Sequence, residues 1–223
     1  VSLDPSGAGD ASRELGAALA EELRAVLRAV NEQHIDDDRL ADALAQARRL
    51  REVLDGPRRP RWYEVGLIDG RSTNDTRNRF GDHSLFRGEL NAIAPPLRYG
   101  VVERDGRRIV EGTVRCSLLY EGPPGGVHGG YVAGLFDDIL GGSQQLLDGP
   151  SGLTGVLTVR YRKLTPLETD LRLVAWIDHV AGRRIHAKAT CHAGDDLTAE
   201  AEALFVRVDM GEVAAQAQRA RDH

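Results

Sequence analysis

Residues 170–208 carry three segments in which apolar and polar side chains alternate, separated by turns of only two or three residues. Leu171, Leu173, Ala175 and Ile177 fall on one face of the first segment, and Ile185, Ala187, Ala189 and Cys191 on one face of the second. A period of two means extended backbone with one side buried. Ala181-Gly182 and Ala193-Gly194-Asp195 leave room only for tight turns between antiparallel neighbours. A chain patterned in this way is committed to a β-meander, and whatever else it contains must pack on that sheet.

The remaining elements read against that constraint. Stretches 97–103 and 108–120 alternate as two strands joined at Asp105-Gly106, a strong hairpin signal, and 153–163 reads as a further strand. Between them, 128–147 has helical spacing, with Val132, Leu135, Phe136, Ile139 and Leu140 on one stripe. The order strand, strand, long helix, four strands predicts an α+β fold, one antiparallel sheet wrapped around a single central helix. Upstream, 12–30 and 39–54 are amphipathic, the Asp run before the second offers an N-cap, and Gly56-Pro57 stops it. The short connection predicts an antiparallel helical hairpin docked on the main body. Stretch 58–88 is basic and glycine-spotted, with Trp62, Tyr63, Phe80 and Phe86 expected to pin it down. The predicted organisation is therefore an N-terminal accessory segment over 1–88, a sheet-and-helix domain over 89–211, and a frayed tail over 212–223.

Composition narrows the partners. A net charge of −5 over 223 residues gives no electrostatic reason to expect nucleic acid, and acidic residues interrupt the basic stretch at 58–88. No segment approaches the roughly 20 apolar residues that cross a bilayer. The first ten residues, rich in Gly, Ser and Asp, read unlike a signal peptide. Cys116 and Cys191 stand far apart, in neither metal-ligand nor disulfide spacing, so a reduced, cytoplasmic setting without a metal is the expectation.

The chemistry concentrates in 121–138, Glu-Gly-Pro-Pro-Gly-Gly-Val-His-Gly-Gly-Tyr-Val-Ala-Gly-Leu-Phe-Asp-Asp. A breaker-rich loop leads into His128-Gly129-Gly130, where a helix opens, and Asp137 and Asp138 follow on that helix. Amides at a helix start point outward unpaired and carry partial positive charge, suited to polarising a carbonyl. Nine residues separate His128 from Asp137, roughly half a turn around the axis and about 13 Å along it. The two groups cannot face one reacting atom within a single chain. They are unrelated, or a second copy supplies one of them.

This stretch, followed by Leu-Thr-Gly-Val-Leu-Thr-Val-Arg-Tyr-Arg-Lys-Leu-Thr-Pro-Leu at 153–167, resembles the hotdog-fold acyl-CoA thioesterases of the phenylacetyl-CoA and thioesterase-superfamily-member type. The likeness covers about residues 90–210. It implies that the Gly129 amide hydrogen-bonds the thioester carbonyl and that His128 orients the loop. It implies that Asp137 activates water or attacks directly, and that Thr154 holds the water. Asp138 remains the alternative base, since adjacent helical residues point ~100° apart. Gly130 and Tyr131 would contact substrate, and Arg160, Arg162 and Lys163 the coenzyme A phosphates, although a solvated strand end explains that cluster equally well. In the family the acid and the amide come from different subunits, so a homodimer or a dimer of dimers is implied. No cofactor is implied beyond the coenzyme A of the substrate.

Three further expectations can be checked. Asp137, beside the apolar stripe, should be partly desolvated, raising its pKa. Regular alternation places Arg160 and Arg162 on the face of Thr154, opposite Leu157, Val159 and Tyr161, unless a bulge intervenes. Several relatives carry Asn six residues before the His, where this chain has Gly122, which removes one carbonyl donor. Two other readings compete with hydrolysis. One is a hotdog protein that binds an acyl ligand without turnover; the other is a dehydratase, whose differently spaced Asp/His helix motif is missing here.

Overall fold

The computed structural model describes residues 10–59 and 81–219. Its centre is a six-stranded antiparallel sheet of β1 (Arg98–Arg104), β2 (Arg107–Arg115), β3 (Gly152–Tyr161), β4 (Asp170–Ala181), β5 (Arg184–Ala193) and β6 (Asp196–Arg207). The spatial order is β1-β2-β4-β5-β6-β3, so β1 and β3 are the edges. The hairpins follow from local chemistry. Asp105 and Gly106 both have positive φ (53° and 70°), the geometry of a two-residue type I′ turn. Gly182 and Gly194, at 60° and 58°, open the other two turns.

The central helix α3 (Gly129–Ser143) lies across the concave face, between β2 and the distant edge strand β3. Its buried residues include all five predicted stripe positions, Val132, Leu135, Phe136, Ile139 and Leu140. The sheet surface beneath is paved with alanines: Ala175, Ala187, Ala189, Ala199, Ala201 and Ala203 are all buried. Small side chains let the helix approach closely, and Phe136 and Phe205 fill the space between; full burial of one such ring contributes about 1.5–3 kcal/mol. After Ser143 the helix tightens into a 3-10 turn, Gln144–Leu146. The Gln144 side-chain amide pairs with both backbone groups of Gly152 and so fixes the start of β3.

Three elements differ from the sequence expectation. The strand predicted over 108–120 ends at Arg115, and Leu118–Tyr120 forms a 3-10 turn. That turn carries the Tyr120 carbonyl to the His128 N–H, 2.8 Å away. The stretch read as a tail is helical in part, as α4 (Met210–Arg219), whose start is capped by Asp209 Oδ1 accepting from the Gly211 N–H.

The third difference concerns α1 (Asp10–Glu32) and α2 (Asp37–Val53). α1 docks as expected: Ala20 is buried, Arg13 bridges Asp82 and Glu89, and Arg24 donates to the Asn91 carbonyl. α2, predicted to dock beside it, buries none of its residues in this chain, and Leu40 and Leu44 are exposed. Its terminal chemistry supports it locally. Asp36 caps the Arg39 N–H, acids occupy the first turn, and Arg51 occupies the last. Phe86 packs against the core, whereas Trp62, Tyr63 and Phe80 lie outside the described residues. Among the described residues no helix is long and apolar enough to cross a membrane.

Candidate active site

The glycine- and proline-rich loop closes on itself before α3 begins. The Gly122 N–H donates to the Gly126 carbonyl, the Gly126 N–H to the Pro123 carbonyl, and the Gly125 N–H to Glu121 Oε1. A Cβ at position 122 would lie 2.6 Å from the His128 Cα. The loop is therefore folded too tightly for any side chain at position 122, the expected asparagine included.

His128 is the N-cap of α3. Its Nδ1 accepts from the Gly130 N–H at 3.0 Å, and its carbonyl accepts from the Tyr131 and Val132 amides. With Nδ1 occupied as an acceptor, the neutral ring carries its proton on Nε2. The Gly130 amide is thereby consumed. The Gly129 N–H has no protein acceptor among the described residues and stands at the positive end of the helix. The Gly129 carbonyl accepts from Tyr161 Oη at 2.8 Å, a contact that ties the helix start to the far end of β3.

Two turns along α3, Asp137 is exposed and accepts a hydrogen bond from Thr154 Oγ1 at 2.9 Å. Thr154, expected to hold the water, hydrogen-bonds Asp137 itself, and the strand that carries it is irregular. A register shift between Thr154 and Val156 places a bulge at Gly155. Beyond it, Leu157, Val159 and Tyr161 pair with the buried Ala203, Ala201 and Ala199, so they share the helix side with Thr154. Arg160 and Arg162 are turned to the opposite face, which corrects the parity inferred from regular alternation. There Arg160 pairs with Glu202, Arg162 with Glu200 and Lys163 with Asp196. The structure brings together Asp137 with Thr154, and Gly129 with His128, Gly130 and Tyr131. It does not bring the two groups together in one chain, because eight helical steps separate Gly129 from Asp137 by about 12 Å.

The expectation that Asp137 is desolvated is also corrected, since Asp137 is exposed and the largely covered carboxylate is its neighbour. Asp138 points to the other side of α3, with its side chain 13% exposed. It accepts from Ser84 Oγ at 2.9 Å and faces Arg87 Nε at 3.5 Å, while Arg87 also donates to Tyr99 Oη. Burial raises the Asp138 pKa above its ordinary value of 3.8, against the opposing pull of Arg87 and Ser84, and burial likewise pushes Tyr99 up to about 12. A raised carboxyl pKa means that the folded chain holds this proton more tightly than the unfolded chain. Its contribution to stability is present below pH 3.8 and lost as pH rises through the raised value. Urea midpoints of the wild type and Asp138→Asn, followed from about pH 4 to about pH 8, are expected to converge at the acid end and separate toward neutrality, the variant being the more stable. Parallel curves would remove charge burial as the cause.

Ser84, Arg87, Tyr99 and Tyr161 were not legible as site residues. Gly155 inside a strand pattern was the one available signal for the bulge, and hence for Tyr161. Among the described residues no group of three or more His, Cys, Asp or Glu side chains is placed to hold a metal ion.

An antiparallel sheet curled around one long central helix is the hotdog fold. No family model matches the chain. The chain is 33% identical over 134 residues to the acyl-coenzyme A thioesterase THEM4 of Xenopus laevis, covering 59% of each protein. It is 29% identical over 113 residues to the Mus musculus protein of that name, covering 46% of its length. It thus spans about half the length of these curated relatives. A crystal structure described as a thioesterase superfamily protein matches over 86% of this chain and 90% of that one, with a TM-score of 0.69 and 27% identity. The chain is thus a hotdog-fold protein related to THEM4 and other thioesterase-superfamily members.

Proposed function

We propose that this chain hydrolyses an acyl-CoA thioester to the free acid and coenzyme A, at sites shared between two copies. The observation that carries the reading is the division of labour along β3. One end holds Thr154 against Asp137, and the other holds Tyr161 against Gly129. β3 is an open edge whose Leu153, Val156 and Tyr161 are 44%, 52% and 54% exposed, surface of a kind that unpaired edges ordinarily avoid. With Gly155 bulged out of the ladder, pairing two β3 strands antiparallel about a two-fold axis through Thr158 sets Thr154 of one copy near Tyr161 of the other. The acid of one copy then meets the polarising amide of its twin, twice per dimer.

Each group has a step. Thr154 Oγ1 donates to Asp137 Oδ1, which leaves Oδ2 to accept a proton from water. The resulting hydroxyl oxygen bonds to the thioester carbon, and the carbonyl oxygen gathers negative charge against the Gly129 N–H. Collapse of that adduct breaks the carbon–sulfur bond. The departing thiolate of coenzyme A recovers the proton from Asp137. For the coenzyme A phosphates, Arg160, Arg162 and Lys163 would have to exchange their present carboxylate partners for the ligand. One observation favours the alternative of a non-catalytic acyl-CoA binder: the closed loop at Gly122 leaves a single amide to stabilise the oxyanion.

Mixing inactive variants tests the shared site. Asp137→Asn and Gly129→Pro chains, each inactive alone, are expected to recover about a quarter of wild-type thiol release once unfolded together and refolded, because half the dimers then hold one intact site. Failure to complement, with both variants folded and dimeric, would place the chemistry within one chain.

A further inference from the structure

Beside the Gly129 turn lies a cleft of about 300 Å³ lined by Leu85, Phe86, His128, Gly130 and Tyr131. Two of its walls come from the segment before β1 rather than from the sheet and helix. Phe86 is seated on bare helix backbone, where a Cβ at Gly134 would lie 1.9 Å from the Phe86 Cζ. Its ring meets Tyr131 edge-on at 6.0 Å, and Tyr131 meets Tyr120 at 4.7 Å. Leu85 and Phe86 are held from both flanks, because Ser84 and Arg87 both reach the carboxylate of Asp138. The Phe86 carbonyl also accepts from the Leu97 N–H at 2.8 Å.

Resting on the hydrolase reading above, we infer that this cleft receives the acyl group and that Leu85 and Phe86 set the size of apolar chain accepted. The lining decides between the two arms of the substrate. A pantetheine arm carries two amides that need hydrogen-bond partners when desolvated, whereas an alkyl or aryl chain needs none. The walls offer rings, a leucine and glycine backbone, and the Gly130 amide is already taken by His128. Position agrees, since the cleft begins at the residue following the amide proposed to hold the carbonyl. Leu85, 49% exposed, is the wall that can change size without disturbing the core.

Two substitutions of opposite sign test this. Leu85→Trp is expected to lower the ratio of kcat/KM for decanoyl-CoA to that for butyryl-CoA about tenfold, and Leu85→Ala to raise the ratio or extend the longest chain accepted. A merely structural role would lower both substrates in parallel in both variants, and that outcome, or an unchanged ratio, overturns the inference. Calorimetry with S-butyl- and S-decyl-CoA thioethers, which cannot be hydrolysed, separates the two proposals. Chain-length-dependent binding that Leu85→Trp abolishes, in a protein that releases no thiol, keeps the acyl cleft and sinks the hydrolase. Steady thiol release with a length preference indifferent to Leu85 does the reverse.

Discussion

Asp137→Asn is expected to reduce thiol release from the preferred acyl-CoA by about 10²–10⁴-fold, the contribution of a positioned base, with KM changed little. Asparagine keeps the shape of the side chain and can still accept from Thr154 Oγ1, so the folded structure should persist. What disappears is the capacity to take a proton from water. Asp137 is suited to the task because it is exposed at an open edge with one oxygen oriented by Thr154 and the other free. Asp138 is not: both its oxygens are engaged on the opposite side of α3 by Ser84 and Arg87. Steady-state kinetics on Asp137→Asn and Asp138→Asn side by side would decide the assignment. A larger loss of kcat in the Asp138 variant would transfer the role.

Gly129→Pro should lower kcat by about 10²–10³-fold, as removal of one oxyanion donor does elsewhere. The substitution is unusually selective at this position. Proline is welcome at the first residue of a helix, and it deletes only the N–H that has no acceptor among the described residues. The preceding His128, at φ −56° and ψ 130°, already has the extended conformation that proline requires of its predecessor. A Cβ here would lie 3.3 Å from Tyr161 Oη, which sits at the end of an exposed side chain able to shift. Circular dichroism should therefore remain that of the wild type while turnover falls. Retention of full activity would show that the carbonyl is polarised by some other group.

Much of this geometry was readable from residue order, and what was not has identifiable physical causes. The apolar stripe of α3 was recovered at all five positions because helix burial depends on a short-range period that one segment contains entirely. The β4 and β5 faces were legible for the same reason, apart from Ile177, which is only half-buried next to the irregularity in the β4–β5 pairing. Thr154 was singled out through the family resemblance as the residue holding the water, yet the side of the sheet assigned to its downstream neighbours was inverted. Counting by twos cannot register an inserted residue, and Gly155 is one. The desolvation expected of Asp137 falls on Asp138 instead. Its burial comes from Ser84, Arg87 and Tyr99, more than thirty residues away, and no local pattern announces them. The amphipathic stripe of α2 predicted a packing partner, yet none of its residues is buried.

The extra residue at Gly155 has a bearing on how this centre can drift over evolutionary time. Because it uncouples the upstream part of β3 from the downstream part, residue replacements beyond it can remodel the charged outer surface while Thr154 keeps its heading toward Asp137. Gain or loss of one residue between 152 and 156 would rotate one end of the strand away from the helix, whatever the identities of the residues that remained. Chain length over this short interval therefore encodes the alignment of acid and hydroxyl more firmly than any side chain nearby.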